Sequence, residues 1–278
     1  MLNNMPMNDM KESNKRKIMF IIIGVICVIS IILAIIFQIS QLASPPEIPE
    51  PPKEIVDFKE VFDNKLNTQG NTIKALEKFN DDKEIVYTIN EQKEKSDGKY
   101  DIDIKIPLIN INNPSTIAID KEIEATFQEK ARNIIKSEEE NEVIYTVEYT
   151  AYVNANILSL VIKSTLKEGV KAQRVIVKTY TYNITTNERI DIDEMISIKQ
   201  LNKSVIQGEI NKVVEENARQ SQSLIDLGYN VYERNLSDEM YKIENVDNFF
   251  YGPNGNLYII YAYGNNSYTS ELDIIQIR

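Results

Sequence analysis

With 278 residues, a formal net charge of −11 and a hydrophobic share of 42%, the chain can bury a sizeable core, and its acidity argues against a nucleic-acid partner. It has no histidine, which excludes serine–histidine and cysteine–histidine nucleophile systems and histidine-ligated zinc. A lone cysteine, Cys27, excludes a disulfide within the chain.

Ile18–Phe37 reads IMFIIIGVICVISIILAIIF, without a charged residue, and matches the roughly 20 apolar residues that a helix needs to cross a bilayer. A cleavable signal would have an apolar region of only about 7–15 residues closed by a small-residue site. Here Ala43-Ser44 is followed at once by Pro45-Pro46, so a retained anchor is expected, with Cys27 packed inside it. Lys11, Lys15, Arg16 and Lys17 precede the span, whereas the first base after it is Lys53. Such an asymmetry predicts a short cytoplasmic segment, 1–17, and an extracellular remainder of a cell-membrane protein that touches the lipid bilayer through residues 18–37. Residues 38–278 hold 27 basic and 40 acidic side chains, so the outer part is distinctly acidic and would steer a cationic partner towards it.

Ser44–Pro52, SPPEIPEPP, predicts an extended spacer within residues 38–52. Over 53–82, Ile55, Phe58, Val61, Phe62, Leu66, Ile73, Leu76 and Phe79 recur at three- and four-residue steps, which predicts two short stalk or edge helices broken at Gly70.

From residue 83 to residue 278 an extracytoplasmic domain is expected. Ile85, Tyr87 and Ile89 alternate with polar residues, Ser96-Asp97-Gly98 reads as a turn, and Tyr100, Ile102, Ile104 and Ile106 form a second strand that Pro107 should end. Ile119, Ile123, Phe127, Ala131, Ile134 and Ile135 mark one face of a helix, with Asp120 as candidate cap. Strands over 143–153, 157–164 and 174–183 are joined by connections too short for a parallel crossover, so they should form an antiparallel meander. A short strand over 184–193 should follow, then a helix over 201–224 covering the same sheet. Strands over 243–251, 257–263 and 271–277 would close the fold in hairpins. The predicted fold class is therefore α+β: a largely antiparallel sheet with two packed helices, preceded by a single transmembrane helix.

The order strand, helix, meander, helix, hairpins comes with specific words. Tyr100 to Ile109, YDIDIKIPLI, together with Tyr149-Thr-Ala-Tyr152, Ile157-Leu-Ser-Leu160, Gly169 and Thr181-Tyr182-Asn183, resembles a bacterial extracytoplasmic module. That module forms the external part of RsiV-type anti-sigma factors, which sense lysozyme, and the non-catalytic region of PdaC-type peptidoglycan deacetylases. The resemblance spans about residues 98 to 278, in a chain of 278. Where the family often has a Gly-Ala-His-like turn, this chain reads Gly169-Val170-Lys171-Ala172, so no role of that histidine carries over. Only residues 1–17 precede the span, against the longer segment with which the anti-sigma members clasp a sigma factor, and sigma binding is not carried over either.

No catalytic residue, cofactor or metal site is assigned from the sequence. Asp191-Ile192-Asp193-Glu194 is the densest acidic word and reads as a helix cap or solvated turn rather than a calcium site or a glycosidase pair. Of the 15 tyrosines, Tyr180 and Tyr182 share a strand face and are candidates for stacking on a ligand, while Lys171 and Arg174 are candidates for contacting an anionic wall polymer. The expected function is a membrane-anchored, non-catalytic binding or sensing domain for peptidoglycan or a lysozyme-like basic protein. The alternatives are a carboxylate-dependent cell-wall hydrolase and a structural subunit of a membrane assembly.

Overall fold

Two long strands built on period-two alternation, β2 (Val86–Ser96) and β3 (Tyr100–Ile109), form the hairpin expected around Gly98, whose φ of +73° suits its glycine. The computed structural model describes residues 66–69, 76–137, 141–252, 255–267 and 269–277, all within the unit Asp57–Arg278. The segments expected at 1–17, 18–37 and 38–52, and most of 53–82, lie outside the described residues. Among the described residues no helix is long and apolar enough to cross a membrane.

β3 continues through Pro107 instead of ending there. Ile89 is extruded as a bulge opposite the pair Ile106–Pro107, and β3 has already left its other neighbour at Ile104, so the missing proline N–H removes no ladder bond. A helical rod then carries the chain back: α1 (Pro114–Ile123), a π-helical turn (Glu124–Gln128) and α2 (Glu129–Lys136). Its cap is Asn113, whose side chain accepts from Ser115 N, with Pro114 in the first turn; the expected cap, Asp120, sits mid-helix. This crossover makes β3 parallel to β4 (Val143–Asn154), over Tyr100–Ile104 against Val143–Val147. β1 (Leu66–Gln69) fills the other half of that edge, pairing in parallel with Ala151–Asn154, so Leu66 belongs to a strand and not to the expected helix. No helix forms over 76–79 either.

The meander of β4, β5 (Ile157–Glu168) and β6 (Arg174–Asn183) is antiparallel as expected. Of the strand expected over 184–193, only β7 (Glu188–Arg189) exists, because Asp191 accepts from Glu194 N and opens α3 (Ile192–Ile198). This is the cap reading of the acidic word, and Asp193 pairs with Lys203 at 2.8 Å on the surface.

The second long helix, α4 (Lys203–Asp226), does not cover the same sheet. Its Ile206, Ile210 and Val214 pack with Ile259, Tyr261, Ile275 and Ile277 of a separate antiparallel sheet formed by β8 (Phe249–Tyr251), β9 (Leu257–Ala262) and β10 (Leu272–Ile277). Ile243–Asn245, expected as strand, is a 3-10 turn, preceded by another at Glu239–Tyr241. The layers are thus helix, seven-stranded sheet, three-stranded sheet, helix.

The middle sheet explains the sequence of its strands. Tyr145, Val147 and Tyr149 of β4, with Leu158, Leu160 and Ile162 of β5, face the rod through Ile119, Ile123 and Phe127. The other face holds Ser159, Thr179 and Thr181, which bond the β8 backbone: Tyr251 N donates to Ser159 Oγ and Phe249 N to Thr179 Oγ1 at 2.9 Å each. β5 is buried on both faces, which is why it reads as an almost continuous apolar run.

Candidate functional site

An open groove of about 770 Å³ runs between the base of the β2–β3 hairpin and the helical rod. Its apolar lining comes from Phe79 before the hairpin, Tyr87 and Ile89 on β2, Ile106, Pro107 and Leu108 on β3, and Ile117 on α1. Phe79 and Ile89 remain 48% and 54% exposed, so large apolar side chains stand at the lip in water. The bulge that accommodates Pro107 is what extrudes Ile89. Asn90 on β2, with Asp120, Lys121, Glu124 and Gln128 on the rod, supplies the polar part of the lining, the last two being the ends of the π-helical turn. Such turns recur at functional sites because they re-aim side chains without ending a helix.

Asp120 Oδ1 accepts from Ile109 N at 2.9 Å, tying the rod to the end of β3. It makes no ion pair among the described residues. Burial pushes its carboxyl up to about 7, offset only in part by the Ile109 N–H. Glu124, one turn along, is held by Arg132 at 3.3 Å.

The raised carboxyl has a measurable consequence. Stability contributed by Asp120 is fully present below its ordinary value of 3.8 and is lost as pH rises through about 7, since folding then holds a charge in a half-buried site. After discounting for its exposure, the loss is about 2 kcal/mol between pH 4 and pH 8. Asp120→Asn keeps an acceptor for Ile109 N and cannot ionise. Thermal unfolding of the full chain should therefore show the variant level with the parent at pH 4 and roughly 4–8 °C more stable at pH 8.

A second polar cluster is closed. Arg234 enters between α4 and β10, donating from Nε and Nη2 to the two Asp273 oxygens at 2.8 and 2.9 Å and from Nη1 to Glu271 at 3.0 Å, and bonding Ser221. Its guanidinium carbon lies 4.6 Å from the Tyr263 ring centre, and Tyr263 donates in turn to Asp273 while receiving the Tyr241 hydroxyl at 3.0 Å. Burial lowers the tendency of Arg234 to hold its proton, but the hydrogen bonds and charge of Asp273 outweigh it and the net shift is upward. Burial, then the Asp273 charge, pushes the Tyr263 hydroxyl far up; burial pushes Tyr241 to about 12. With Arg234 and Asp273 side chains only 5% and 1% exposed, this cluster is structural.

The four residues singled out from the sequence do not converge. Lys171 is on the β5–β6 turn, 3.9 Å from Glu168. Arg174 donates from Nε to Gly264 O at 2.9 Å, fastening β6 to the turn before β10. Tyr180 and Tyr182 share a face of β6, but it is the core face: both are buried, and the Tyr182 hydroxyl donates to Asn187 at 3.0 Å. Neither ring is available for stacking on a ligand. The other edge of β6 is closed too, Asn265 bonding both the N–H and the carbonyl of Val177 and Asn248 receiving Thr179 N. The groove residues were missed, although the sequence held one signal: Asp120 adjoins Ile119 on the rod's apolar stripe, where a carboxylate is costly to bury.

No family model matches the chain, and no curated protein matches it. Among solved structures, a DUF3298 family protein from Pseudomonas aeruginosa PAO1 is similar over 69% of this chain and 89% of its own, at 10% identity and a TM-score of 0.38. A DUF3298 family member from Bacteroides fragilis is similar over 64% and 81%, at 11% identity and a TM-score of 0.36. The structural neighbours are thus DUF3298 family proteins.

Proposed function

We propose that the chain is a single-pass membrane protein whose extracytoplasmic α+β domain binds or senses a cationic protein or an envelope component without catalysing a reaction, as the resemblance to RsiV-type and PdaC-type proteins implies. The observation that supports this best is the groove: an apolar trough left open to water, with a carboxylate that no cation of the described residues neutralises. The acidic balance of residues 38–278 supports the same reading, since it raises the encounter rate with a basic partner.

Calorimetric titration of the full-length chain in nanodiscs with hen egg-white lysozyme, and separately with soluble peptidoglycan fragments, tests it. Saturable heat that weakens as salt rises is the expected result for lysozyme. Absence of binding to both would remove the reading.

One observation favours a second reading, that of a carboxylate-dependent wall hydrolase. A carboxyl near 7 is in the range of a general acid, and Glu124 lies one turn away. That reading requires release of reducing sugar from wall material, abolished by Asp120→Asn. Asp191 and Asp193, the acids prominent in the sequence, are occupied in opening α3 and in the Lys203 pair.

A further inference from the structure

We infer that the groove seats a short cationic segment of a protein partner, in which an apolar side chain lies against Phe79, Ile89 and Ile117 while a neighbouring lysine or arginine meets Asp120. This rests on the binding reading above and adds the surface and the chemistry of what it takes. The apolar wall and the carboxylate are provided by different elements at one place: the hairpin with its bulged Ile89, and α1 with Asp120. A purely apolar occupant would leave Asp120 facing a drier environment with no cation, and a purely charged one would leave the exposed Phe79 and Ile89 uncovered.

The charged and titratable groups around Asp120 agree with this. Its own helix contributes Lys121, and the π-helical turn contributes Glu124, already engaged by Arg132. β2 contributes Tyr87, and β3 lines the groove with Ile106, Pro107 and Leu108, none of which titrates. Asp120 is therefore the carboxylate on which an arriving cation is matched. A cation selects the ionised form, so affinity rises with pH up to about 7 and levels above it.

The test uses the full-length chain in phosphatidylcholine nanodiscs and a fluorescein-labelled peptide, Gly-Lys-Phe-Lys-Leu-Lys-Phe-Gly, followed by anisotropy against empty nanodiscs. Binding should weaken at least about tenfold in Asp120→Asn at pH 8, and in Ile89→Ser, whose exposed position tolerates the change. Parent affinity should fall about tenfold from pH 8 to pH 6, with no such slope in Asp120→Asn. An analogue with glutamine for lysine, or serine for phenylalanine and leucine, should bind poorly. Unchanged affinity in both variants overturns the inference, and does so without touching the binding reading if lysozyme still binds; loss of lysozyme binding as well brings down both. Equal binding of the glutamine analogue overturns it. A peptide affinity that rises on deleting residues 44–65 would assign the groove to the chain's own spacer, and self-association broken by Ile89→Ser would assign it to a second copy; either result overturns it.

Discussion

Arg234→Met is expected to lower the stability of the full chain by about 3–5 kcal/mol, the cost of removing one partner from a buried ion pair. The guanidinium forms a two-bond fork with Asp273, which is 1% exposed at its side chain, and no other base reaches that carboxylate among the described ion pairs. Removing the cation leaves Asp273 buried with Asn217 and Tyr263 as its remaining side-chain donors among the described residues. Three elements loosen together, since Arg234 also bonds Ser221 on α4, Glu271 before β10 and the Tyr232 carbonyl in its own loop. Adding Asp273→Asn to Arg234→Met should recover part of the stability, because it removes the uncompensated charge. Urea unfolding of the two variants at neutral pH checks both statements. A loss that is small, or a double variant no more stable than the single one, would mean that the network contributes packing alone.

Gly264→Ala should cost about 3 kcal/mol by a different route, a backbone collision. A methyl group there would stand 2.1 Å from Val175 O, 2.6 Å from Thr269 O and 2.7 Å from Val175 N, all of them main-chain atoms that no rotamer change can move aside. The turn Tyr263–Asn265 would have to retreat from β6, breaking the bond from Arg174 to Gly264 O and the two-way pairing of Asn265 with Val177. The natural control is Gly208→Ala on the exposed face of α4, where an added methyl meets nothing within 4 Å and the helix should gain about 0.5–1 kcal/mol. Opposite signs for two glycine-to-alanine changes, read by thermal unfolding, would locate the effect in the contact between sheets. A neutral result at Gly264 would refute that close approach.

Local reading failed where a short signal depended on distant neighbours. Pro107 reads as a strand end, yet it lies where β3 has only β2 for a neighbour, so its missing donor is harmless. Leu66 continues a helical spacing on paper, but residues 66–69 pair with the half of the β4 edge that β3 leaves open. Arg174 and Tyr182 look like surface chemistry in a list of side chains; one is a clasp to Gly264 and the other a core ring.

Period-two and helical spacing by themselves determined that the domain is α+β, where the meander lies and which stripe of the rod faces a sheet, because each of these depends on residues within a few positions of one another. The tertiary structure decided that the last three strands form a second sheet, that α4 lies on it, and that Asp120 faces an open groove while Arg234 is sealed inside. Those outcomes depend on burial and on groups brought together from residues 37 to 49 positions apart, as in Arg234 with Glu271 and Phe79 with Gln128, and linear spacing carries no information about which distant groups will share a low-dielectric site.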